Sequence, residues 1–291
     1  MKHTTAIDTI KIQVNLTSQE EQQELINALQ EELRDTQKQI YIKTNKTRIN
    51  ATLIHLEYRL YIKRNLIATL NTGMYPAGSY IKNTRAMVHY VSIKFAGLSS
   101  HHIEKDIASK SSLLAVCDYV NSHRYDLNFK ELDICLDVEC PYECILTKCT
   151  RKTARTKYYT AADRQPYSDT TYIEKIPKQN YQKVAKRAYT YDKSKKEGLP
   201  YVQSRVEIKL QATFFIGGKI DIKKIQKTLD SYHVVYLTEK SERQSFTSAY
   251  EKLTSTNKRE IAKLDIEDKR ITFDNEVVED FILELQNIGR L

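Results

Sequence analysis

The chain is poor in the residues that interrupt regular structure, and it lacks long apolar runs. Its 291 residues include seven glycines, five prolines and no tryptophan. So few glycines and prolines favour long helices and strands over elaborate loops. No apolar run approaches the roughly 18–20 residues that a membrane-spanning helix needs. The first residues, MKHTTAIDTIKIQVNL, lack the apolar stretch of a secretory signal. The sequence therefore predicts a cytoplasmic protein with no membrane partner.

Cysteine is also scarce, and its spacing argues against a structural zinc site. The chain has five cysteines: Cys117, Cys135, Cys140, Cys144 and Cys149. Four of them fall between residues 135 and 149, but none are arranged as the C-x2-C pairs of structural zinc sites. Cys135 also lies inside an apolar strand pattern. Free cytosolic thiols are favoured over a metal cluster.

Basic residues are in excess. The chain has 46 lysines and arginines against 37 acids, a net charge of +9, and twenty tyrosines. Residues 148–158 (KCTRKTARTKY) carry several cations and no acid, and residues 174–196 interleave lysines with tyrosines. Cations bind phosphates and aromatic rings stack on unpaired bases, so nucleic-acid binding is favoured over a merely solvated basic surface. The predicted DNA contacts are Arg151, Lys152, Arg155, Lys157, Lys175 and Lys193.

Hydrophobic periodicity predicts strands that alternate with helices. The predicted strands are 7–15, 40–44, 51–63, 87–95, 129–140, 169–176, 184–193 and 201–215. The predicted helices are 18–36, 100–121, 221–232, 241–264 and 275–288. Thr17 or Ser18 would cap the first helix, and Ser99 or Ser100 the second. The stretch 71–79 (NTGMYPAGS) has the strongest turn chemistry in the chain.

This order predicts an α+β fold with an antiparallel sheet core and flanking helices. The core would span residues 1–216, and a helical region for DNA recognition or dimerisation would span 217–291. The order strand, helix, strands occurs twice within the core. That repetition admits an internal duplication, although no sequence self-similarity supports it.

Carboxylates cluster on two of the predicted strands. In ELDICLD, the side chains of Glu131, Asp133 and Asp137 lie on one strand face. In SRVEIKL, Arg205, Glu207 and Lys209 share a face in the same way. If these strands pair, Glu207 joins the two aspartates in an oxygen-rich cluster of the kind that binds Mg²⁺ or Mn²⁺. A salt-bridged, exposed sheet face is the equally open alternative.

A tyrosine pair lies on the strand before SRVEIKL. Tyr189 and Tyr191 share one face, with Arg187 and Lys193 in register. A tyrosine hydroxyl can attack phosphorus when cations or a metal stabilise the phenolate. The alternative is a pair of ordinary strand tyrosines.

Three stretches in order make the chain resemble the initiators of rolling-circle replication of the staphylococcal pT181 plasmid type, the Rep_trans family. They are ELDICLDVE (131–139), YTYDKSKKE (189–197) and SRVEIKL (204–210), and the likeness covers roughly residues 85–215. Two departures stand out. The family's arginine two residues before the nucleophile is Tyr189 here, and its arginine at the start of the acidic strand is Glu131 here.

The resemblance implies a site-specific DNA nickase and strand transferase whose catalytic half is residues 85–216. Tyr191 would be the nucleophile, with Tyr189 and Tyr172 as second choices. Asp133, Asp137 and Glu207 would hold the divalent metal, and Arg205 would contact phosphate or orient a carboxylate, with Arg187 as a further cation. Members of the family act as dimers on an origin hairpin that is single-stranded at the nick, and they recruit a helicase.

Other functions remain open on the same residues. A conjugative relaxase of an integrative element would nick a transfer origin instead. A non-catalytic DNA-binding regulator would keep the fold without cleavage. A metal-dependent nuclease that uses water would cleave without a covalent adduct, and its tyrosines would only stack on bases.

Overall fold

The computed structural model describes residues 1–37, 39–48, 54–76, 87–149, 158–160, 170–173, 186–236 and 270–288. The chain forms two compact units. The N-unit comprises Ile7–Leu132, Phe215–Ile220 and Asp280–Leu291. The C-unit comprises Met1–Ala6, Asp133–Phe214 and Asp221–Glu279. The predicted division at residue 216 into a core and a helical region stays a prediction.

Five strands and two long helices form most of the N-unit. The strands are β1 (His3–Leu16), β2 (Ile40–Arg48), β3 (Ile54–Ile62), β4 (Asn65–Pro76) and β5 (Met87–Ala96), and the helices are α1 (Gln19–Thr36) and α2 (Ile103–Ser122). The strands are ordered β2-β3-β4-β5-β1, and each neighbouring pair is antiparallel. The first residues of β1, up to Ala6, belong to the C-unit.

Strict alternation gives this sheet one apolar face. In β1, Ile10, Ile12 and Val14 are buried, whereas the residues between them are half-exposed. Helices α1 and α2 contact the sheet through β4 and β5. Helix α1 starts where the sequence predicts, because the Ser18 side chain accepts a hydrogen bond from the Glu21 backbone N–H at 3.1 Å. Helices α1 and α2 bury the apolar face of the sheet, and the polar face is directed away from them.

The C-unit contains most of the remaining strands. They are β6 (Leu127–Val138), β7 (Ile145–Cys149), β8 (Tyr158–Thr160), β9 (Thr170–Ile173), β10 (Lys186–Asp192) and β11 (Ser204–Gln211). The first half of β6, up to Leu132, belongs to the N-unit, as does a short hairpin formed by β12 (Phe215–Ile216) and β13 (Lys219–Ile220). Further along lie β14 (Tyr232–Tyr236) and β15 (Arg270–Ile271). The helices are α3 (Lys193–Glu197), α4 (Ile222–Leu229) and α5 (Asn275–Asn287), whose later residues belong to the N-unit.

Both units use the same strand order. In the C-unit the order is β6-β11-β10-β9-β8, with a separate three-stranded sheet β15-β14-β7. In each unit the first strand therefore lies beside the last one, and the strands between them run outward as a meander. The connection after the first strand differs, because α1 follows β1, whereas a 3₁₀ turn (Tyr142–Cys144) and β7 follow β6. This shared order is what an internal duplication would produce.

The predicted α+β class is confirmed, with several local corrections. Strands β7 and β8 were not among the predicted strands. Residues 71–76 continue β4 and do not turn. Position 73 has no room for a side chain, because the Tyr90 ring lies directly over it. A Cβ at this position would lie 2.2 Å from the Tyr90 hydroxyl oxygen. Helix α2 is capped by His102 without a side-chain hydrogen bond, and Ser99 instead donates to Asp8.

A further correction concerns residues after 216, where β13 to β15 were not predicted. Helices α4 and α5 confirm two of the predicted helices there, and the predicted helix 241–264 lies outside the described residues. Among the residues described, no helix combines the length and the apolar character that crossing a membrane requires.

Candidate active site

Strands β10 and β11 bring the tyrosines and the alternating charged residues together. Their antiparallel register sets Tyr189 opposite Glu207 and Tyr191 opposite Arg205. Directly opposite residues project to the same face of a sheet. The intervening Thr190 projects to the other face, where its hydroxyl is 2.8 Å from that of Thr147 in β7. The β7 sheet thus packs behind the strands, and the tyrosines occupy the front.

Both tyrosine hydroxyls donate to one buried carboxylate. The Tyr191 hydroxyl lies 3.1 Å from Glu207 Oε2, and the Tyr189 hydroxyl donates to Glu207 Oε1. The two rings are stacked, with centroids 6.0 Å apart. Tyr191 and Glu207 are each 4% exposed. A carboxylate that accepts a hydrogen bond from a phenol is correctly placed to take its proton.

A cluster of cations lies beside this pair. Asp137 accepts hydrogen bonds from Arg205 Nε at 2.6 Å and Nη2 at 2.8 Å, and from Lys193 Nζ at 2.7 Å. The side chains of Arg205 and Lys193 are 1% and 4% exposed. Lys193 reaches Asp137 because it is the first residue of α3, which Asp192 caps. Two cations around one carboxylate leave this cluster with a net positive charge.

Electrostatics distinguish the two tyrosines. Burial raises the pKa of Tyr189 well above its ordinary value, and the nearby Glu207 and Asp133 raise it further. Its surroundings therefore oppose a phenolate.

Tyr191 instead faces cations. Lys196 Nζ lies 4.1 Å from the centre of its ring. Burial lowers the pKa of Arg205, but Cys135, Asp137 and Tyr191 more than offset that effect and hold the pKa well above its ordinary value. Arg205 is therefore a permanent positive charge next to Tyr191. Both hydroxyls donate to Glu207, but only Tyr191 also has Arg205 and Lys196 as described cationic neighbours.

Two further acids of β6, Asp133 and Glu131, are paired and buried. Asp133 is 3% exposed and accepts a hydrogen bond from Lys209 Nζ at 3.3 Å. Glu131, within the N-unit, pairs with Lys94 at 2.5 Å. The sheet face is thus salt-bridged, as one alternative predicted, but it is buried where that alternative expected it to be exposed.

The predicted divalent metal does not fit the carboxylates as they stand. Among the described residues, no three His, Cys, Asp or Glu side chains form a group able to hold a metal ion. Both oxygens of Asp137 already face cations, and both oxygens of Glu207 accept tyrosine hydroxyls. A divalent ion at Asp137 would be repelled by Arg205 and Lys193.

The other predicted site residues divide into three groups. Lys193, predicted to contact DNA, is buried against Asp137. Arg187 lies in β10 opposite Lys209, and Tyr172 lies in β9 opposite Tyr189. The remaining predicted DNA contacts lie outside the described residues: Arg151, Lys152, Arg155, Lys157 and Lys175.

The structure adds two residues to the predicted site. Lys209 was visible in the alternation of SRVEIKL, but only pairing of β6 with β11 shows that it binds Asp133. Lys196 had no signal in the sequence, because its contact with Tyr191 depends on the turn of α3. Four cysteines, Cys117, Cys135, Cys140 and Cys144, are buried and belong to no disulfide bond. Burial and the neighbouring Cys144 raise the pKa of Cys140 to about 12, which disfavours the thiolate that zinc needs.

The chain has a distant structural likeness to a known protein and no match at the level of sequence. No protein-family model matches the chain, and no curated protein matches it. Among solved structures, it is similar to a rolling circle replication initiator protein from Geobacillus stearothermophilus, at 11% identity and a TM-score of 0.40. The match covers 99% of this chain and 98% of that one. A likeness at that level decides neither fold nor chemistry.

Proposed function

We propose that this chain is a replication initiator that nicks and rejoins origin DNA through a covalent 5′-phosphotyrosine at Tyr191. The main support is one arrangement: a tyrosine hydroxyl bonded to a buried carboxylate, Glu207, with a buried guanidinium, Arg205, on the opposite strand position. Two of the three stretches that resemble the plasmid initiators, 189–197 and 204–210, contain these same residues.

The chemistry follows from the contacts of Tyr191. Glu207 Oε2 accepts the phenolic proton while the Tyr191 oxygen attacks the scissile phosphorus. The bond from phosphorus to the 3′-oxygen breaks, that oxygen takes up a proton, and the 5′-phosphate stays esterified to the tyrosine. Arg205 and Lys196 offset the charge that develops on the phosphate. Attack by a 3′-hydroxyl on the ester reverses these steps and rejoins the strand.

The resemblance supplies the finer parts of the proposal. DNA would be bound as an origin hairpin, single-stranded at the nick, by a homodimer that recruits a host helicase. The resemblance also implies Mg²⁺ or Mn²⁺ as cofactor. Because the carboxylates as arranged do not fit a metal ion, every step above uses the chain's own residues.

The test is a search for the covalent adduct. Single-stranded oligonucleotides from the DNA that flanks the gene are incubated with wild-type protein, Tyr191→Phe and Tyr189→Phe, in Mn²⁺ and in EDTA. On a denaturing gel, we expect a protein–DNA band with the wild type and with Tyr189→Phe, and none with Tyr191→Phe. Tyr189→Phe is the matched control, because it removes a hydroxyl from the same strand and the same carboxylate.

Other outcomes would redirect the assignment. A band that persists in Tyr191→Phe moves the nucleophile to Tyr189 or Tyr172. Cleavage without any band indicates a nuclease that uses water, and binding without cleavage indicates a DNA-binding regulator. A band that forms only with transfer-origin DNA indicates a conjugative relaxase. A band that needs Mn²⁺ would mean that the carboxylates rearrange to admit the ion.

A further inference from the structure

The polar face of the N-unit sheet carries a cross-strand row of cations. Successive registers align Lys43 of β2, Arg59 of β3, Thr69 of β4, Lys94 of β5 and Lys11 of β1. Neighbouring strands lie about 4.8 Å apart, so this row extends over roughly 19 Å. Lys43 and Arg59 are exposed, and Lys94 and Lys11 are half-exposed. Four of the five positions in the row are therefore basic and reach solvent.

Two of these pairings place like charges directly opposite each other. Lys43 faces Arg59, and Lys94 faces Lys11. Directly opposite like charges destabilise a sheet. Two acids reduce this cost, since Arg59 pairs with Glu57 at 2.7 Å and Lys94 pairs with Glu131. Lys43 adds an exposed cation next to Arg59, and a bound polyanion would reduce the repulsion between the two.

Aromatic pairs lie on the same face at two of its corners. Tyr41 and Tyr61 are stacked, with centroids 5.0 Å apart and planes 11° apart, and Tyr41 is 50% exposed. On the other side of the cation row, Tyr75 and Tyr90 have centroids 5.9 Å apart, and Tyr75 is 38% exposed. Exposed rings beside cations are the elements with which proteins bind single strands, because every base has a face that can stack.

Amide side chains occupy the row between the cations and the second tyrosine pair. Asn45, Asn71 and Gln13 share one cross-strand row with Glu57 and Ser92. Amides donate and accept hydrogen bonds, which suits the edges of unstacked bases. Helices α1 and α2 cover the apolar face of the same sheet, and among the described residues the exposed cations Lys43 and Arg59 lie on the polar face.

We propose that this face of the N-unit is a binding platform for single-stranded DNA, with the cation row on the phosphates and Tyr41 and Tyr61 stacked on bases. The platform lies in a different unit from Tyr191 and does not depend on the strand-transfer proposal. It would hold a strand whether or not the tyrosine site acts on it.

The test measures binding with the covalent step removed. The full chain carrying Tyr191→Phe is titrated against a fluorescein-labelled, mixed-sequence single strand of about 20 nucleotides, longer than the roughly 4–16 that an OB-fold covers. Adding Lys43→Gln and Arg59→Gln should weaken binding about 10-fold at low salt and make the salt slope shallower by about 1.4, since each lost phosphate contact accounts for about 0.7. Adding Tyr41→Leu and Tyr61→Leu should weaken binding roughly 5- to 100-fold, as expected for one lost stack.

Matched variants separate the platform from general charge. Arg34→Gln with Lys110→Gln removes two exposed cations from α1 and α2, which cover the other face of the same sheet, and should leave affinity nearly unchanged. The exchange Lys43→Arg with Arg59→Lys should keep the salt slope, and thermal unfolding establishes that each variant is folded. Equal losses in the helix and sheet variants would overturn the proposal, as would unchanged affinity in both sheet variants. A larger effect on duplex DNA than on the single strand would overturn the choice of ligand.

Discussion

Asp137 shows how much the site depends on a single side chain. It accepts hydrogen bonds from two buried cations, Arg205 and Lys193. Removing one partner of a buried ion pair costs roughly 3–5 kcal/mol, because the remaining charge is left uncompensated. We expect Asp137→Asn to lower the free energy of unfolding by that amount, measured by urea denaturation.

Lys193→Met is the companion variant for this measurement. It leaves the bidentate Arg205–Asp137 pair intact, so its loss of stability should be clearly smaller than that of Asp137→Asn. Similar small losses in both variants would show that the cations find other partners and that Asp137 does not organise the cluster.

The raised pKa of Tyr189 predicts that the free energy of unfolding depends on pH in the alkaline range. Its folded pKa is raised by burial and by neighbouring acids, whereas an unfolded tyrosine ionises near pH 10. Above about pH 10 the folded chain keeps a proton that the unfolded chain has lost. The stability linked to this proton is complete below that pH and falls as the pH rises.

Tyr189→Phe should therefore make the alkaline loss of stability shallower, by up to about 1.4 kcal/mol per pH unit. The measurement is urea denaturation across a series of alkaline buffers. Tyr201→Phe, at a tyrosine that is 44% exposed, is the control and should follow the wild type. Identical slopes in wild type and Tyr189→Phe would contradict the buried, acid-facing environment of this hydroxyl.

At the scale of elements, helix α3 positions two of the site's lysines. The Asp192 side chain accepts a hydrogen bond from the Lys195 backbone N–H at 3.0 Å and so caps a helix of five residues. Asp192→Ala should cost about 1 kcal/mol of stability. It should also slow adduct formation, because Lys193 and Lys196 lose their support.

Asn and Asp are equally good N-cap residues. Unlike Asp192→Ala, Asp192→Asn should therefore keep the stability and the adduct formation of the wild type in the same denaturation and gel assays. If Asp192→Asn fails as badly as Asp192→Ala, the negative charge of Asp192 matters and the cap does not.

Element prediction succeeded where one local rule acted alone. Alternation and an N-cap serine were enough for β1 and α1. It failed at residues 71–76, because Gly73 is read locally as a turn residue although it serves a close cross-strand approach by Tyr90. Strands β14 and β15 are two to five residues long and pair over long sequence separations, so they left little periodic signal.

At the scale of the whole molecule, the basic excess predicts salt-sensitive DNA binding. The chain has 46 basic and 37 acidic residues. The logarithm of the affinity for a single strand should fall linearly with the logarithm of salt concentration, with a slope of about −2 or steeper, equivalent to roughly three phosphate contacts. Fluorescence anisotropy at several salt concentrations measures it. An uncharged methylphosphonate strand should show little salt dependence, and a flat slope for natural DNA would contradict binding through phosphates.

The sequence by itself determined which faces are apolar, where the long strands and α1 lie, and which side chains could carry phosphoryl transfer. Those properties depend on residues a few positions apart. The tertiary structure decided how those side chains pair: Asp137 with Lys193 and Arg205, and Glu207 with both tyrosines. It also aligned the cations of the N-unit sheet. These contacts join residues distant in sequence, and strand register is set by packing of the whole sheet. No local pattern contains that information.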